Sequence, residues 1–325
     1  MEKKDIDILV KDGGFALAET HISWVLLGHD FVFKIKKPVK FSFLDFSTLE
    51  KRRFFCEEEV RLNRRLAPEV YLGVVPITAQ EGGSGAVGFG GHGRVVDYAV
   101  KMARLDQNKM MDRLLAEGKI SEEDVRRLAA KVAAFHEKAE RVKGDYNSPK
   151  TIGAQVADLG NFRDTIEKAA GLGRSVDLVL ERSAGFIMRS EGLLHRRIAE
   201  GRVRDCHGDL HSGNIFFDGD IRIIDCIEFS RDFRCIDVAS DIAFMAMDLD
   251  FAERDDLSDS FVDEYISRSG DRDIEALITF YKCYRANVRA KIAAIDWTNG
   301  QDEAGRMRII RYMDLAESYA KRLSI

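Results

Sequence analysis

Proline and cysteine are scarce in this chain, and long apolar runs are missing from it. Four prolines in 325 residues, with no low-complexity tract and no internal repeat, argue against a disordered or solenoid architecture. The five cysteines (56, 206, 226, 235 and 283) are odd in number and form no C-x-x-C pair. That excludes a disulfide framework and a zinc ribbon and leads us to expect a reducing, cytoplasmic setting. No stretch approaches the ~20 apolar residues that span a bilayer. Aspartates interrupt the first apolar stretch, "MEKKDIDILVKDGG", so it does not read as a signal peptide. A basic excess is lacking too, since the net charge is −5. Neither a nucleic acid nor a membrane is therefore an expected partner, and the local run "KIKKPVK" (34–40) reads as a strand edge guarded by lysines. What is present is an ordinary globular composition, 45% hydrophobic and 32% charged, long enough for one large domain or two lobes.

The first hundred residues pattern mostly as strand and the remainder mostly as helix. "ISWVLLG" (22–28) and "FVFKIKK" (31–37) form a hairpin signal, and Pro38 ends the second run. A helix is expected within 46–67, capped by Ser47 or Thr48, with Glu50 in capping-box position to Ser47. Leu49, Phe54, Val60, Leu62 and Leu66 supply its apolar positions, and Pro68 stops it. Strands follow at 70–78 and 93–102. Between them "EGGSGAVGFGGHG" (81–93) holds seven glycines, but it lacks the lysine and Ser/Thr of a phosphate loop and reads as a hairpin tip. Ser121 and Asp124 then cap a helix with the stripe Val125, Leu128, Val132 and Phe135. Helical patterns recur at 152–170, 175–200, 238–248, 255–269, 273–294 and 303–323. They are interrupted only by β-like "NIFFDG" (214–219) and "IRIIDCIEF" (221–229), joined by a tight turn. The expected fold class is α+β, with a small β-rich N-lobe at 1–103 and a larger, mainly helical C-lobe at 104–325.

Chemistry concentrates in "HGDLHSGN" (207–214). His207, Asp209 and His211 could be metal ligands, but Gly208 and Gly213 make the segment a loop, no H-E-x-x-H is present, and no partner histidine stands out. Phosphoryl transfer uses the same residues better. It needs a carboxylate for the acceptor hydroxyl, Mg²⁺ ligands, and a cation for the nucleotide phosphates. The octapeptide matches H-R-D-L-x-x-x-N of kinases at His207, Asp209, Leu210 and Asn214, with glycine in place of arginine. Asp225, ending "IRII", stands where a second Mg²⁺ ligand belongs. On the first lobe Val32 and Lys34 share a strand face, as in the valine-x-lysine of kinases, and Lys36 points the same way as a fallback. A glutamate from the next helix should pair with the lysine. Glu58 and Glu59 can both border the core face, and the sequence does not choose between them. Singly, a strand lysine is usually solvated and a helix glutamate usually exposed; their joint order carries the weight.

"HGDLHSGNIFFDGDIRIIDCIEF" resembles the catalytic core of the aminoglycoside phosphotransferase and choline kinase-like superfamily. "ETHISWVLL" and "YKCYRANVRAK" are similar to one branch of it, often fused to a C-terminal P-loop ATP-binding domain. The resemblance implies a two-lobed protein-kinase-like fold using ATP, or another nucleoside triphosphate, with Mg²⁺ to phosphorylate a small hydroxylated molecule. Asp209 would be the catalytic base and His207 a brace for its loop. Asn214 and Asp225 would hold Mg²⁺, and Lys34 or Lys36 the phosphates. Met102 to Arg104 would be the hinge whose backbone meets adenine. Asp237 would be a buried hydrogen-bonding aspartate behind the catalytic loop, or simply a helix N-cap. His211 sits where the family often has histidine, without assigned chemistry. Two departures stand out. "AETHISW" (18–24) lacks the glycines of a nucleotide loop, leaving Thr20, His21 and Ser23 as donors, and no P-loop occurs in these 325 residues, so a separate P-loop ATPase enters as an expected partner.

A protein kinase, including a self-phosphorylating one, is the alternative within the fold, but Cys226 and Ile227 follow Asp225 where Phe-Gly would stand. A nucleotide-binding pseudokinase would have lost Asp209, Asn214 or Asp225, and all three are present. Asp241, Asp248, Asp250 and Glu228 could line an acidic pocket for a cationic acceptor, but exposed helix charges are the reading we expect.

Overall fold

Apolar and basic residues alternate in "FVFKIK", and the strand they form, β3 (Phe31–Lys36), presents two different faces. In this computed structural model, which describes residues 1–41, 43–79 and 87–323, Phe33 and Ile35 face one core and Val32 the other. The described residues divide into two compact units, 1–111 with 214–231, and 112–213 with 232–325. The segment 214–231 thus clusters with the sheet, although it lies in the stretch 104–325 of the linear division.

The first unit is built on a six-stranded antiparallel sheet. Its strands are β1 (Ala16–Glu19), β2 (Ser23–Leu27), β3, β6 (Tyr71–Ala79), β7 (Val87–Phe89) and β8 (Arg94–Ala103), in the order β1-β2-β3-β8-β6-β7. A small pair, β4 (Lys40–Phe41) and β5 (Leu44–Asp45), follows β3. One face of the sheet packs on α1 (Lys3–Gly13), whose Ile6 and Leu9 meet Trp24, Leu26, Phe33 and Ile35. That helix was not expected from the sequence; a capping box between Glu2 and Asp5 starts it. The other face packs on α2 (Leu49–Asn63), whose Cys56 and Val60 meet Tyr71, Val100 and Met102. Thr48 caps α2 through Lys51 N–H, settling the choice between Ser47 and Thr48. The expected apolar stripe of α2 needs correction. Phe54 is exposed, and the inward positions include Arg52, Glu59 and Asn63. Burying polar groups there is tolerable because each is bonded: Arg52 Nε donates to Asp97 at 2.9 Å and Asn63 bonds backbone. The first part of the glycine-rich tip (81–86) lies outside the described residues; Val87–Phe89 pairs back onto β6.

The second unit is helical: α3 (Met111–Ala116), α4 (Glu122–Lys138), α5 (Pro149–Ala157), α6 (Arg163–Ala170), α7 (Gly173–Arg189), α8 (Glu191–Ala199), α9 (Arg231–Arg234), α10 (Val238–Phe251), α11 (Asp255–Ser269), α12 (Ile274–Gly300) and α13 (Glu303–Arg322). The expected helices 152–170 and 175–200 are each broken in two, the second at Ser190. Two three-residue strands, β9 (Val203–Asp205) and β12 (Cys235–Asp237), pair antiparallel and bring the catalytic-type loop to the start of α10. Helix α10 is buried from Val238 to Leu249, Ser240, Asp241 and Asp248 included, and most of its side chains are apolar. It packs through Phe244 and Met247 on Ala286 and Ala290 of α12 and Met313 of α13. The hairpin β10 (Ile215–Asp218) and β11 (Asp220–Ile223), grouped with the first unit, is shorter than expected; residues 224–229 leave the ladder. Among the described residues, no helix is long and apolar enough to cross a membrane.

Candidate active site

Strand alternation puts Lys34 and Lys36 on the sheet face that α2 covers, and α2 answers with Glu59, not Glu58. Lys36 Nζ donates to Glu59 Oε2 at 2.7 Å and also bonds Glu228. Lys34 Nζ lies 2.9 Å from Glu59 Oε1 and donates to Asp225 Oδ1 at 2.5 Å. Glu58 instead turns outward to Arg61. Burial pushes the Glu59 carboxyl up, but the two ammoniums outweigh it and hold it well below the usual carboxylate range. Burial opposes the charge on Lys34 as well, yet Asp225 and Glu59 raise its ammonium well above the ordinary lysine value. Glu228, buried next to Lys36 and beside Glu59, is pushed up. The two lysines differ in access: 15% of the Lys34 side chain is exposed against 1% for Lys36.

The hairpin holds the two expected Mg²⁺ ligands at its open end. Asn214 C=O accepts Ile224 N–H at 2.9 Å, which fixes the residue before Asp225. Asp225 itself has φ of 64°, a left-handed conformation that costs a non-glycine residue ~1 kcal/mol or more. Its N–H donates to the Tyr71 hydroxyl at 3.0 Å, and Cys226 N–H donates to Asn63 Oδ1 at 2.9 Å. The carboxylate is 45% exposed despite the Lys34 contact. Oxygen donors only, one of them an accessible carboxylate, fit a hard divalent cation such as Mg²⁺.

The expected phosphate-side donors form a closed turn. Thr20 N–H donates to Ser23 C=O at 2.9 Å, and Ser23 N–H returns to Thr20 Oγ1 at 3.0 Å. A hydroxyl-closed turn thus stands where a kinase nucleotide loop has glycines. Ser23 Oγ is buried with no bonded partner among the described residues, whereas His21 sits on the exposed side of the turn. At the hinge, Met102 is buried in the α2-side core. Ala103 N–H is taken by Val70 C=O and Arg104 N–H by Asp30 C=O.

The second unit positions its loop by a different device. His207 N–H and Gly208 N–H both donate to the Asp241 carboxylate, at 3.0 and 2.8 Å. Gly208 has φ of 86°, so glycine is required in this turn where the kinase pattern has arginine. Arg285 Nη1 binds Gly208 C=O at 3.2 Å, and Asp248 takes Ser212 N–H at 2.8 Å together with the Ser212 hydroxyl. Asp209 N–H donates to Nδ1 of the buried His207 at 3.3 Å, so that histidine braces the loop. The Asp209 carboxylate is about one-third exposed, with His211 Nε2 3.4 Å away. Burial pushes this carboxyl up, but His211 first, then His207 and Arg289, outweigh it and hold it below its usual range. Burial lowers His211, and Asp209 more than restores it, so the ring ends raised.

The acidic residues read as exposed helix charges are buried and committed. Asp241 holds the loop and His136, Asp248 holds Ser212, Asp250 pairs with Lys282, and Glu228 pairs with Lys36. Burial makes an unpaired carboxylate so costly that each has acquired donors. Asp237 caps α10 through Ala239 N–H and pairs with Arg197 at 2.6 Å, so the brace behind the loop is Asp241. Sequence reasoning gave Asp241 and Asp248 another role and did not single out Arg285. The two aspartates carried a signal, being seven residues apart on one face of the largely apolar helix "VASDIAFMAMDLDF".

Residues 40–277 match the model of the Phosphotransferase enzyme family. Uncharacterised proteins of Mycobacterium tuberculosis and Mycobacterium bovis are each 33% identical over 315 residues, covering 94% of this chain and 60% of theirs. The chain thus spans about 60% of the length of the curated relatives it matches. Among solved structures, a choline/ethanolamine kinase family protein from Mesorhizobium loti aligns over 94% of this chain and 87% of its own, at 11% identity and a TM-score of 0.52. An ethanolamine kinase of Plasmodium vivax aligns over 93% and 81%, at 14% identity and 0.51. Aminoglycoside phosphotransferase APH(4)-Ia aligns over the whole of both chains at 10% identity and 0.52. At such identities the likeness is one of fold, and it bears out the α+β class with its sheet unit and helical unit.

Proposed function

The chain belongs to the phosphotransferase enzyme family, and on that premise we propose that it moves the γ-phosphoryl group of ATP, or of another nucleoside triphosphate, to the hydroxyl of a small molecule in the presence of Mg²⁺. The observation that carries this reading is Asp209. It is an ionised, partly accessible carboxylate on a loop whose backbone is fixed by Asp241, Asp248 and Arg285.

In this reading residues 1–103 form the nucleotide-binding lobe and 104–325 the lobe that presents the acceptor. Lys34 meets the phosphates, because its side chain retains exposure; Lys36 is the fixed counter-ion that holds Glu59 and Glu228. Thr20, His21 and Ser23 line the phosphate side, and the hinge at Met102 to Arg104 meets the base. Since the Ala103 and Arg104 N–H groups are already bonded, the base finds carbonyls there rather than donors. Asn214 and Asp225 hold Mg²⁺, which when bound neutralises phosphate oxygens. The Asp209 carboxylate accepts a hydrogen bond from the acceptor hydroxyl and directs its oxygen at the γ-phosphorus. The new O–P bond forms as the bond to the departing nucleoside diphosphate breaks, and the hydroxyl proton passes to Asp209. A carboxylate held this low is a weak base, so its main contribution is orientation, as a loose phosphoryl-transfer transition state requires. His207 and His211 position Asp209 through its N–H and its carboxylate.

The buried state of Asp241, Asp248, Asp250 and Glu228 removes the argument for a cationic acceptor, and the reading stays with a small hydroxylated substrate in the cytoplasm. A P-loop ATPase partner is part of the proposal on the family resemblance alone. A screen of hydroxylated metabolites for acceptor-dependent ATP consumption with Mg²⁺ tests the reading. Wild-type protein should turn over at least one acceptor, and Asp209→Asn should lose ~10²-fold or more of that rate. Equal turnover by the two proteins on the best acceptor would overturn the assignment.

A further inference from the structure

The helical unit contains a cavity of about 410 Å³ among α4, β9, α10 and α11, lined by Arg141, Arg202, Arg204 and Arg268 and by a single carboxylate, Glu137. None of these residues belongs to the candidate active site. Four guanidiniums facing one carboxylate is an unbalanced wall, and their pairing elsewhere does not correct it. Arg268 is answered by Glu264 at 2.6 Å on its own helix. Arg202 has only Asp271, 3.5 Å away, and that carboxylate is already bonded to the Arg197 guanidinium by both oxygens. Arg141 and Arg204 pair with no carboxylate among the described residues.

Arg204 is the telling member. It is 9% exposed, yet its Nε and Nη1 bond only neutral carbonyls, those of Gly201, His136 and Glu137, while Nη2 has no bonded partner among the described residues. The antiparallel bridge between Arg141 and Arg204 fixes these two residues side by side. Burial, and then the like charge of Arg141, press the Arg204 guanidinium below its ordinary value. A buried cation without a counter-ion is costly to keep. A planar fork with free N–H groups matches paired anionic oxygens, and four guanidiniums against one carboxylate favour the multiply charged phosphate.

We propose that this cavity binds a small anion bearing phosphoryl groups, at a site separate from the Asp209 loop and from the lysine–carboxylate net. The wall also includes His136, whose ring bonds the same Asp241 carboxylate that holds His207 and Gly208, so the ligand would sit directly behind the brace of that loop.

Calorimetric titration of the full chain with inorganic pyrophosphate, without Mg²⁺, tests the site. We expect saturable binding by wild type, at least ~10-fold weaker binding by the Arg141→Ala/Arg202→Ala double variant with an unchanged melting midpoint, and undiminished binding by Lys34→Ala. Should the double variant melt early, Arg268→Glu, at the exposed rim, serves instead and is expected to weaken binding likewise. Absence of binding to wild type, equal affinity in the arginine variants, or loss of binding in Lys34→Ala would each overturn the proposal.

Discussion

In the sheet unit, charged side chains hold one another: Lys34 and Lys36 share Glu59, with Asp225 and Glu228 completing the net. In the helical unit, charged side chains hold backbone: Asp241 takes two successive loop N–H groups, Asp248 takes Ser212, and Arg285 takes the Gly208 carbonyl. The difference shows in what is left over. A net of side chains, here two ammoniums among three carboxylates, can exchange partners when a phosphate or a metal arrives. A backbone clamp does not exchange; it fixes one turn and leaves Asp209 with its carboxylate partly in solvent. A phosphotransferase needs both, an adaptable set of charges for a polyanionic nucleotide and a rigid mount for the residue that directs the acceptor.

The largest effect is expected at Glu59. Glu59→Gln leaves the buried Lys36 ammonium and the partly exposed Lys34 ammonium short of their shared carboxylate, and we expect a loss of about 3–5 kcal/mol in denaturant unfolding. The neighbouring Glu58→Gln, which removes only a surface pair with Arg61, should stay within about 0.5 kcal/mol. Comparable losses in the two variants would mean that Glu59 is not the lysine partner. Next in size, Asp241→Asn keeps one acceptor for the two loop amides and should cost about 1–3 kcal/mol. Amide hydrogen exchange at His207 and Gly208 should quicken with it, and unchanged exchange there would remove Asp241 from the clamp.

The smallest effect is that of pH on the Asp209–His211 pair. His211 is raised above its ordinary 6.5, so its contribution is complete below that pH and is lost as pH rises through the folded value. Asp209 is lowered beneath its ordinary 3.8, so its contribution is present above that pH and is lost as pH falls through the folded value. Stability from the pair is therefore whole between those two ordinary values and declines on both sides. His211→Gln should abolish the alkaline decline, a difference of roughly 1 kcal/mol or less for so accessible a pair. An alkaline limb identical to that of wild type would assign the decline to other groups.

How much of this was legible in the sequence follows from which interactions are local. The strand face of Lys34 and Lys36, the cap of α4 by Ser121, and the bounds of α11 depend on neighbours a few residues away, and the pattern shows them. The helix α1 was hidden because its capping residues, Glu2 and Asp5, are charged like the rest of its exposed side. Helix α2 misled for a different reason. Its buried face carries Arg52, Glu59 and Asn63, so the apolar stripe pointed at Phe54, which is exposed. The choice of Glu59 over Glu58 and the clamp by Asp241 and Arg285 rest on contacts across 23 to 77 residues of chain, which no local pattern encodes.

Phosphoryl transfer to a small hydroxylated molecule can be followed with ATP labelled at its γ-phosphate, Mg²⁺ and a pool of hydroxylated metabolites. Wild-type protein should place the label in a small-molecule phosphate ester, and Asp209→Asn should lose ~10²-fold or more of that product. Label found only on the protein or as inorganic phosphate, or an ester formed equally well by Asp209→Asn, would overturn the proposed function.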